Sequence, residues 1–171
     1  MNKLITGIII FLSFLNALEP DKRGYIVKVG DESPDFKLQL IDGKTITKKD
    51  LKGKVAVLQF TASWCSVCRQ EMPHLEKDVW QKFKVKDFIL IGVDRDEPLD
   101  VVQKFTKEIK VTYPMALDPG ADIFALFAAR EAGVTRNIVI DQTGKIAFLT
   151  RLFEEKEFKA MIAKIDALLN S

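Results

Sequence analysis

The chain holds two cysteines, Cys65 and Cys68, in the stretch TASWCSVCRQEMP at residues 61–73. Two thiols at this spacing can close a structural disulfide, ligate a metal, or exchange electrons with another disulfide. A bridge over so short a loop constrains the unfolded chain far less than one over a long loop, which disfavours the staple. A structural zinc site takes four ligands, and the chain offers no second cysteine pair and one histidine, His74. On a 3.6-residue period His74 points about 130° away from the apolar face of Cys68, Met72, Leu75 and Val79, so it is expected to be an exposed polar residue. Copper or zinc binding by the pair without catalysis is the runner-up class. Exchange chemistry needs a thiolate, because the thiolate is the nucleophile.

That requirement turns attention to what positions the pair. VAVLQF, ahead of the motif, is a near-continuous apolar run, as expected of a strand buried on both faces. Behind it, Cys68, Met72, Leu75, Val79 and Phe83 recur at spacings of four, three, four and four, a helical period. Cys65 therefore falls in a strand-to-helix turn, where unpaired N–H groups and partial positive charge favour a thiolate. It is expected to be the open, reactive sulfur. Cys68 lies one turn inside the helix, within reach of a mixed disulfide formed at Cys65.

Further elements follow the same reasoning. DFKLQLIDGKTITKKDL reads as two strands around the turn Asp42-Gly43. FILIGVD (88–94), NIVID (137–141) and KIAFLT (145–150) read as strands, and 98–109 and 154–169 as helices. Asp118-Pro119 reads as the cap and first residue of another helix, with Ile123 and Phe127 on it. Strands alternating with helices imply a parallel centre, and the tight connection at 141–145 imposes an antiparallel edge. The fold class is α/β: a mixed central sheet with helices on both faces.

The 171 residues carry a net charge of +2, mixed along the chain, which gives no reason to expect nucleic acid as a partner. The N-terminal MNKLITGIIIFLSFLNALEP has Lys3 and then an apolar run from Leu4 to Leu15. It reads as a secretory signal or a short anchor over residues 1–18, shorter than the ~20 residues of a spanning helix. Either reading exports the domain. Residues 19–28 read as a linker, leaving 29–171 as one domain.

VLQFTASWCSVCRQEMPHL resembles the thioredoxin-like proteins of the TlpA/ResA type: an apolar strand, an aromatic before Cys-x-x-Cys, then Glu-x-Pro inside the helix. The resemblance runs from about Val29 to the end and includes a β-hairpin before the core and an insert around 111–130. It implies a thioredoxin fold and thiol–disulfide exchange in the periplasm or another extracytoplasmic space. It also implies a reductase fed by a membrane thiol donor, with protein disulfides as substrates, apocytochrome c among them in some members, and no bound cofactor. By the same resemblance Cys65 matches the attacking cysteine, Cys68 the resolving one, and Trp64 the aromatic beside the pair. Glu71 matches an acidic residue near the site. The wheel independently sets Glu71 one turn from Cys68 at the edge of the apolar face, where partial burial would raise its pKa and suit it to proton transfer.

Two departures bear on the site. Ser66-Val67 stand between the cysteines where many relatives have proline before the second one. Thr135, in GVTRNIVID, stands where relatives carry a cis-proline facing the cysteines, with Arg136 expected beside it at the rim of the substrate groove. Peroxiredoxins share the fold and use one thiolate, but place Thr or Ser three residues before it. That position is Ala62 here, which weighs against peroxide reduction as the main activity.

Overall fold

The computed structural model describes residues 20–171, so the expected leader lies outside the described residues. Among the described residues no helix is long and apolar enough to cross a membrane.

Seven strands form one mixed sheet: β1 (Lys37–Leu40), β2 (Thr45–Thr47), β3 (Val55–Thr61), β4 (Phe88–Arg95), β5 (Met115–Asp118), β6 (Arg136–Ile140) and β7 (Ile146–Leu149), in the spatial order β2-β1-β5-β4-β3-β6-β7. β3, β4 and β5 run parallel, while β1 and β6 flank them antiparallel. β3 lies inside the sheet with every residue buried, which is why its sequence reads apolar without alternation. The β1–β2 hairpin turns where expected: Gly43 adopts φ 88°, a conformation glycine enters without a Cβ penalty. The antiparallel edge is β6–β7.

Helix α1 (Ser66–His74) continues through a π-helical stretch, Leu75–Trp80, into α2 (Gln81–Phe83). The irregularity follows Pro73, which has no N–H to donate into the helical ladder. All five residues of the expected apolar face, Cys68, Met72, Leu75, Val79 and Phe83, are fully buried. Helix α3 (Leu99–Ile109) packs beside α1, and α4 (Glu155–Leu169) closes the chain against β3 and β7.

The sheet's other face departs from expectation. The helix expected from Asp118-Pro119 is instead two 3-10 turns, Pro119–Ala121 and Phe124–Leu126. Gly120 and Ala121 both take positive φ, which an α-helix cannot accommodate. Asp118 does act as a cap, one turn later: its carboxylate accepts the N–H groups of Ile123 and Phe124 at 2.8 Å each. Phe124 and Phe127 then pack on Phe60, ring centroids 5.3 and 5.8 Å apart. The residues up to Asp118 form β5, a full member of the sheet. The segment expected to be a linker packs on the domain. Tyr25 and Val27 are buried, Tyr25 bridges to Ala128, and its hydroxyl donates to the Thr150 carbonyl at 2.5 Å.

Candidate active site

The end of β3 and the start of α1 bring the two sulfurs together as a disulfide. Cys65 is the N-cap of α1, and its sulfur accepts the backbone N–H of Cys68 at 3.1 Å. That N–H is one of the donors a helix leaves unpaired in its first turn. Pointed at a sulfur, it stabilises negative charge there. Cys65 keeps 6% of its surface exposed and Cys68 none. Cys65 is thus less open than expected, but it is the one of the pair that keeps any exposed surface. The open surface belongs to its neighbour Trp64, 66% exposed.

Glu71 sits one turn beyond Cys68, and it is buried outright at 1% exposure rather than at the edge. Its carboxylate is ringed by three donors, from β3, β6 and the loop before β6. Asn137 Nδ2 donates to one oxygen at 2.6 Å. Thr135 Oγ1 and Gln59 Nε2 donate to the other at 2.8 and 3.4 Å. Gln59 in turn accepts from the Tyr113 hydroxyl at 3.0 Å, and Asn137 also donates to Thr150 Oγ1 at 2.9 Å. Burial pushes Glu71 up to about 7, against the pull of the three donors. A carboxyl at that value takes and gives a proton near neutral pH.

Thr135 follows a cis peptide bond, Val134–Thr135, at the position where relatives carry a cis-proline; the sequence left cis and trans both open. Its hydroxyl serves Glu71, which a proline could not do. Arg136 is not at a groove rim. Side chains alternate along a strand: Thr135 and Asn137 turn to the face covered by α1, and Arg136 turns to the opposite face. There it is buried at 1% exposure, stacked on Tyr25 at 4.6 Å, and donates to the carbonyls of Gly133 and Arg23 at 2.9 and 2.6 Å. It ties the N-terminal segment to the loop before β6. Gly24 fits this junction because a Cβ there would lie 2.9 Å from Ala132 Cβ.

His74 is an exposed side chain, as expected, stacked on Phe153 at 5.0 Å and 3.5 Å from Asp78. Among the described residues no three His, Cys, Asp or Glu side chains converge on a metal-sized site. Ala62 is buried and offers no hydroxyl three residues before Cys65, while Thr61 spends its hydroxyl on Met72 Sδ at 3.4 Å.

Gln59, Tyr113, Asn137 and Thr150 were not singled out from the sequence, although a signal existed. Gln59 interrupts the apolar run VAVLQF and Asn137 opens NIVID. A polar residue in a strand buried on both faces needs a buried partner.

A disulfide across the first turn of a helix, placed at the end of a central parallel strand and backed by a buried acid, defines the thioredoxin-like oxidoreductases. The chain belongs to the AhpC/TSA family, whose model matches residues 29–149. It is similar to a thiol-disulfide oxidoreductase ResA of Bacillus cereus, 33% identical over 120 residues that cover 70% of this chain and 68% of that one. The ResA of Bacillus thuringiensis subsp. konkukian is 32% identical over 151 residues, covering 85% and 86%. Among solved structures, one from Bacteroides thetaiotaomicron put forward as a protein disulfide isomerase is 57% identical, with a TM-score of 0.84 over 86% of this chain and 94% of that one. Another, put forward as the thiol:disulfide interchange protein DsbE of Chlorobium tepidum, is 29% identical with a TM-score of 0.74, covering 84% and 99%.

Proposed function

We propose that this protein is an exported reductase of protein disulfides. The observation that carries the reading is the asymmetry of the pair: one cysteine with residual exposure at a helix N-terminus, its partner fully buried one turn from a buried acid. The reduced Cys65 thiolate attacks one sulfur of a partner's disulfide, and the partner's other sulfur leaves as a thiolate and takes up a proton. Cys68 then attacks the Cys65 sulfur of the mixed disulfide. The partner's second thiol is released, and the Cys65–Cys68 disulfide forms. Two electrons pass to the partner, which takes up one proton that left Cys68 by way of Glu71 and one from solvent.

Glu71 receives the proton that Cys68 must lose to become a nucleophile. Trp64 and the backbone at Thr135 frame the approach of the partner chain. A membrane thiol donor returns Cys65 and Cys68 to the dithiol state, and apocytochrome c is the substrate that the resemblance to the ResA type suggests. The apolar N-terminal segment supports an extracytoplasmic site of action.

Peroxide reduction is the competing activity within the same family. The two separate in one comparison: reduction of insulin disulfides against consumption of peroxide, each with dithiothreitol as reductant. The proposal expects insulin reduction to dominate. Rapid peroxide turnover without insulin reduction would replace it. Glu71→Gln should shift the pH dependence of alkylation at the pair, and an unchanged profile would remove Glu71 from proton transfer.

A further inference from the structure

A second buried acid lies near the disulfide, and the steps above do not use it. Asp94, in β4, sits opposite Thr61 of β3 and Leu117 of β5. Thr61 turns its hydroxyl to Met72 of α1, so Asp94 lies on the same, helix-covered face. It is fully buried, and neither carboxyl oxygen meets a hydrogen-bond donor. Glu97, three residues on, reaches the same stretch of chain: Asp94 sits opposite Thr61, Glu97 holds Ser63 two residues further, and the Glu97 charge acts on Asp94.

Glu97 is placed differently. Its Oε2 accepts the backbone N–H of Ser63 at 2.5 Å and its Oε1 accepts the Ser63 hydroxyl at 2.6 Å. The Ser63 carbonyl, in turn, accepts Arg69 Nε at 2.7 Å. Ser63 leads directly into Trp64 and Cys65. The turn that presents the attacking sulfur is therefore gripped through one residue by Glu97 from the β4–α3 loop and by Arg69 from α1.

Two adjacent carboxyls with one buried among no donors cannot both hold a charge. Glu97 has two donors and Asp94 has none, so the negative charge belongs on Glu97 and the proton on Asp94. The remaining neighbours do not change this assignment. β3 and β5 offer Thr61 and Leu117, and the buried side chains of α3 are Val102 and Phe105. Arg69 of α1 is committed to the Ser63 carbonyl and, at 3.5 Å, to Glu108. Arg95 turns away, over the Phe124 ring at 4.4 Å, and pairs with Asp96 at 3.2 Å.

We infer that Asp94 and Glu97 form a carboxylic acid–carboxylate pair sharing one proton, and that this pair positions the Ser63–Cys65 turn for exchange. The protonated Asp94 oxygen donates to Glu97, and Glu97 holds Ser63. Burial and the Glu97 charge raise Asp94 to about 8. Loss of its proton leaves two negative charges facing each other, loosens the grip on Ser63, and adds a charge that opposes the Cys65 thiolate. The inference rests on the exchange reading only in taking Cys65 as the attacking sulfur.

The test follows the rate of Cys65 alkylation by iodoacetamide between about pH 6 and 10 in the reduced full chain carrying Cys68→Ser and Glu71→Gln, which removes the Glu71 titration from the window, with and without Asp94→Asn. Asn still donates to Glu97 but cannot ionise. The expected parent profile bends twice, once for the thiol and once for the pair. Asp94→Asn should abolish the second bend and leave the rate at the acid end unchanged. Glu97→Gln should move the second bend to lower pH, because Asp94 keeps its burial but loses the neighbouring charge, and should lower the pH of the thiol bend for the same reason. Superimposable profiles for parent and Asp94→Asn would overturn the inference, as would a uniform change at every pH.

Infrared spectroscopy of Glu71→Gln at neutral pH gives a reading that does not require Asp94→Asn to fold. A protonated-carboxyl band must be present, and its absence overturns the inference. Insulin reduction keeps the two claims apart. Lost reduction with a twice-bent profile sinks the exchange reading alone, and intact reduction with a single bend sinks the pair alone.

Discussion

Glu71 and Asp94 are both buried carboxyls on the same face of the sheet, one on the helix that carries Cys68 and one on the strand beside β3, yet their surroundings are opposite. Glu71 is met by three donors, from Thr135, Asn137 and Gln59. Asp94 is met by none, and by a second carboxyl. Burial raises both. The donors hold Glu71 near 7, while their absence and the Glu97 charge carry Asp94 to about 8 from a lower starting value. The contrast lies in what surrounds each acid, and the roles proposed above for the two follow from it. A carboxyl whose charged form is partly satisfied can cycle its proton, and one without donors keeps it and serves as a fixed donor.

The two acids should differ in how stability depends on pH. Both groups bind protons more tightly folded than unfolded, so each contributes stability that is present in acid and lost as pH rises through its folded value. For Asp94 the window runs from 3.8 to about 8, and for Glu71 from 4.5 to about 7. At about 1.4 kcal/mol per unit, the two windows are worth on the order of 6 and 3 kcal/mol. Urea unfolding across these windows should therefore show Asp94→Asn flattening the alkaline loss of stability more than Glu71→Gln does. Equal flattening, or the reverse order, would break the contrast.

A smaller effect sharpens the Glu71 side. Thr135→Val removes one donor and should raise the Glu71 titration by about one unit, the worth of one hydrogen bond to a charged group. Thr135→Ser should restore it. Carboxyl carbon-13 titration reads Glu71 directly, and an unmoved value in Thr135→Val would mean the hydroxyl does no tuning.

How much of this was legible in the sequence follows from which signals are local. The strand-to-helix junction, the helix face from Cys68 to Phe83 and the β1–β2 turn are set by short-range period and turn chemistry, and they appear as expected. Glu71 was legible as a candidate, but its depth of burial was not, because β6 closes over it from far along the chain. Arg136 was misplaced for the same reason. Its strand was read correctly, yet which face each residue takes depends on register with β3. The helix after Asp118 failed because Gly120 and Ala121 at positive φ override an N-terminal signal that was real. Asp94 and Glu97 gain meaning only when β4 is laid beside β3, a long-range pairing with no mark in either segment alone.

The central claim is that the two sulfurs have unequal roles, Cys65 attacking and Cys68 resolving. The direct measurement is covalent trapping: the Cys68→Ser and Cys65→Ser chains are each incubated, reduced, with a disulfide-bonded protein and analysed without reductant. The account predicts a mixed disulfide that accumulates on Cys65 in Cys68→Ser, and none on Cys68 in Cys65→Ser. Equal trapping by both chains, or by neither, would contradict it.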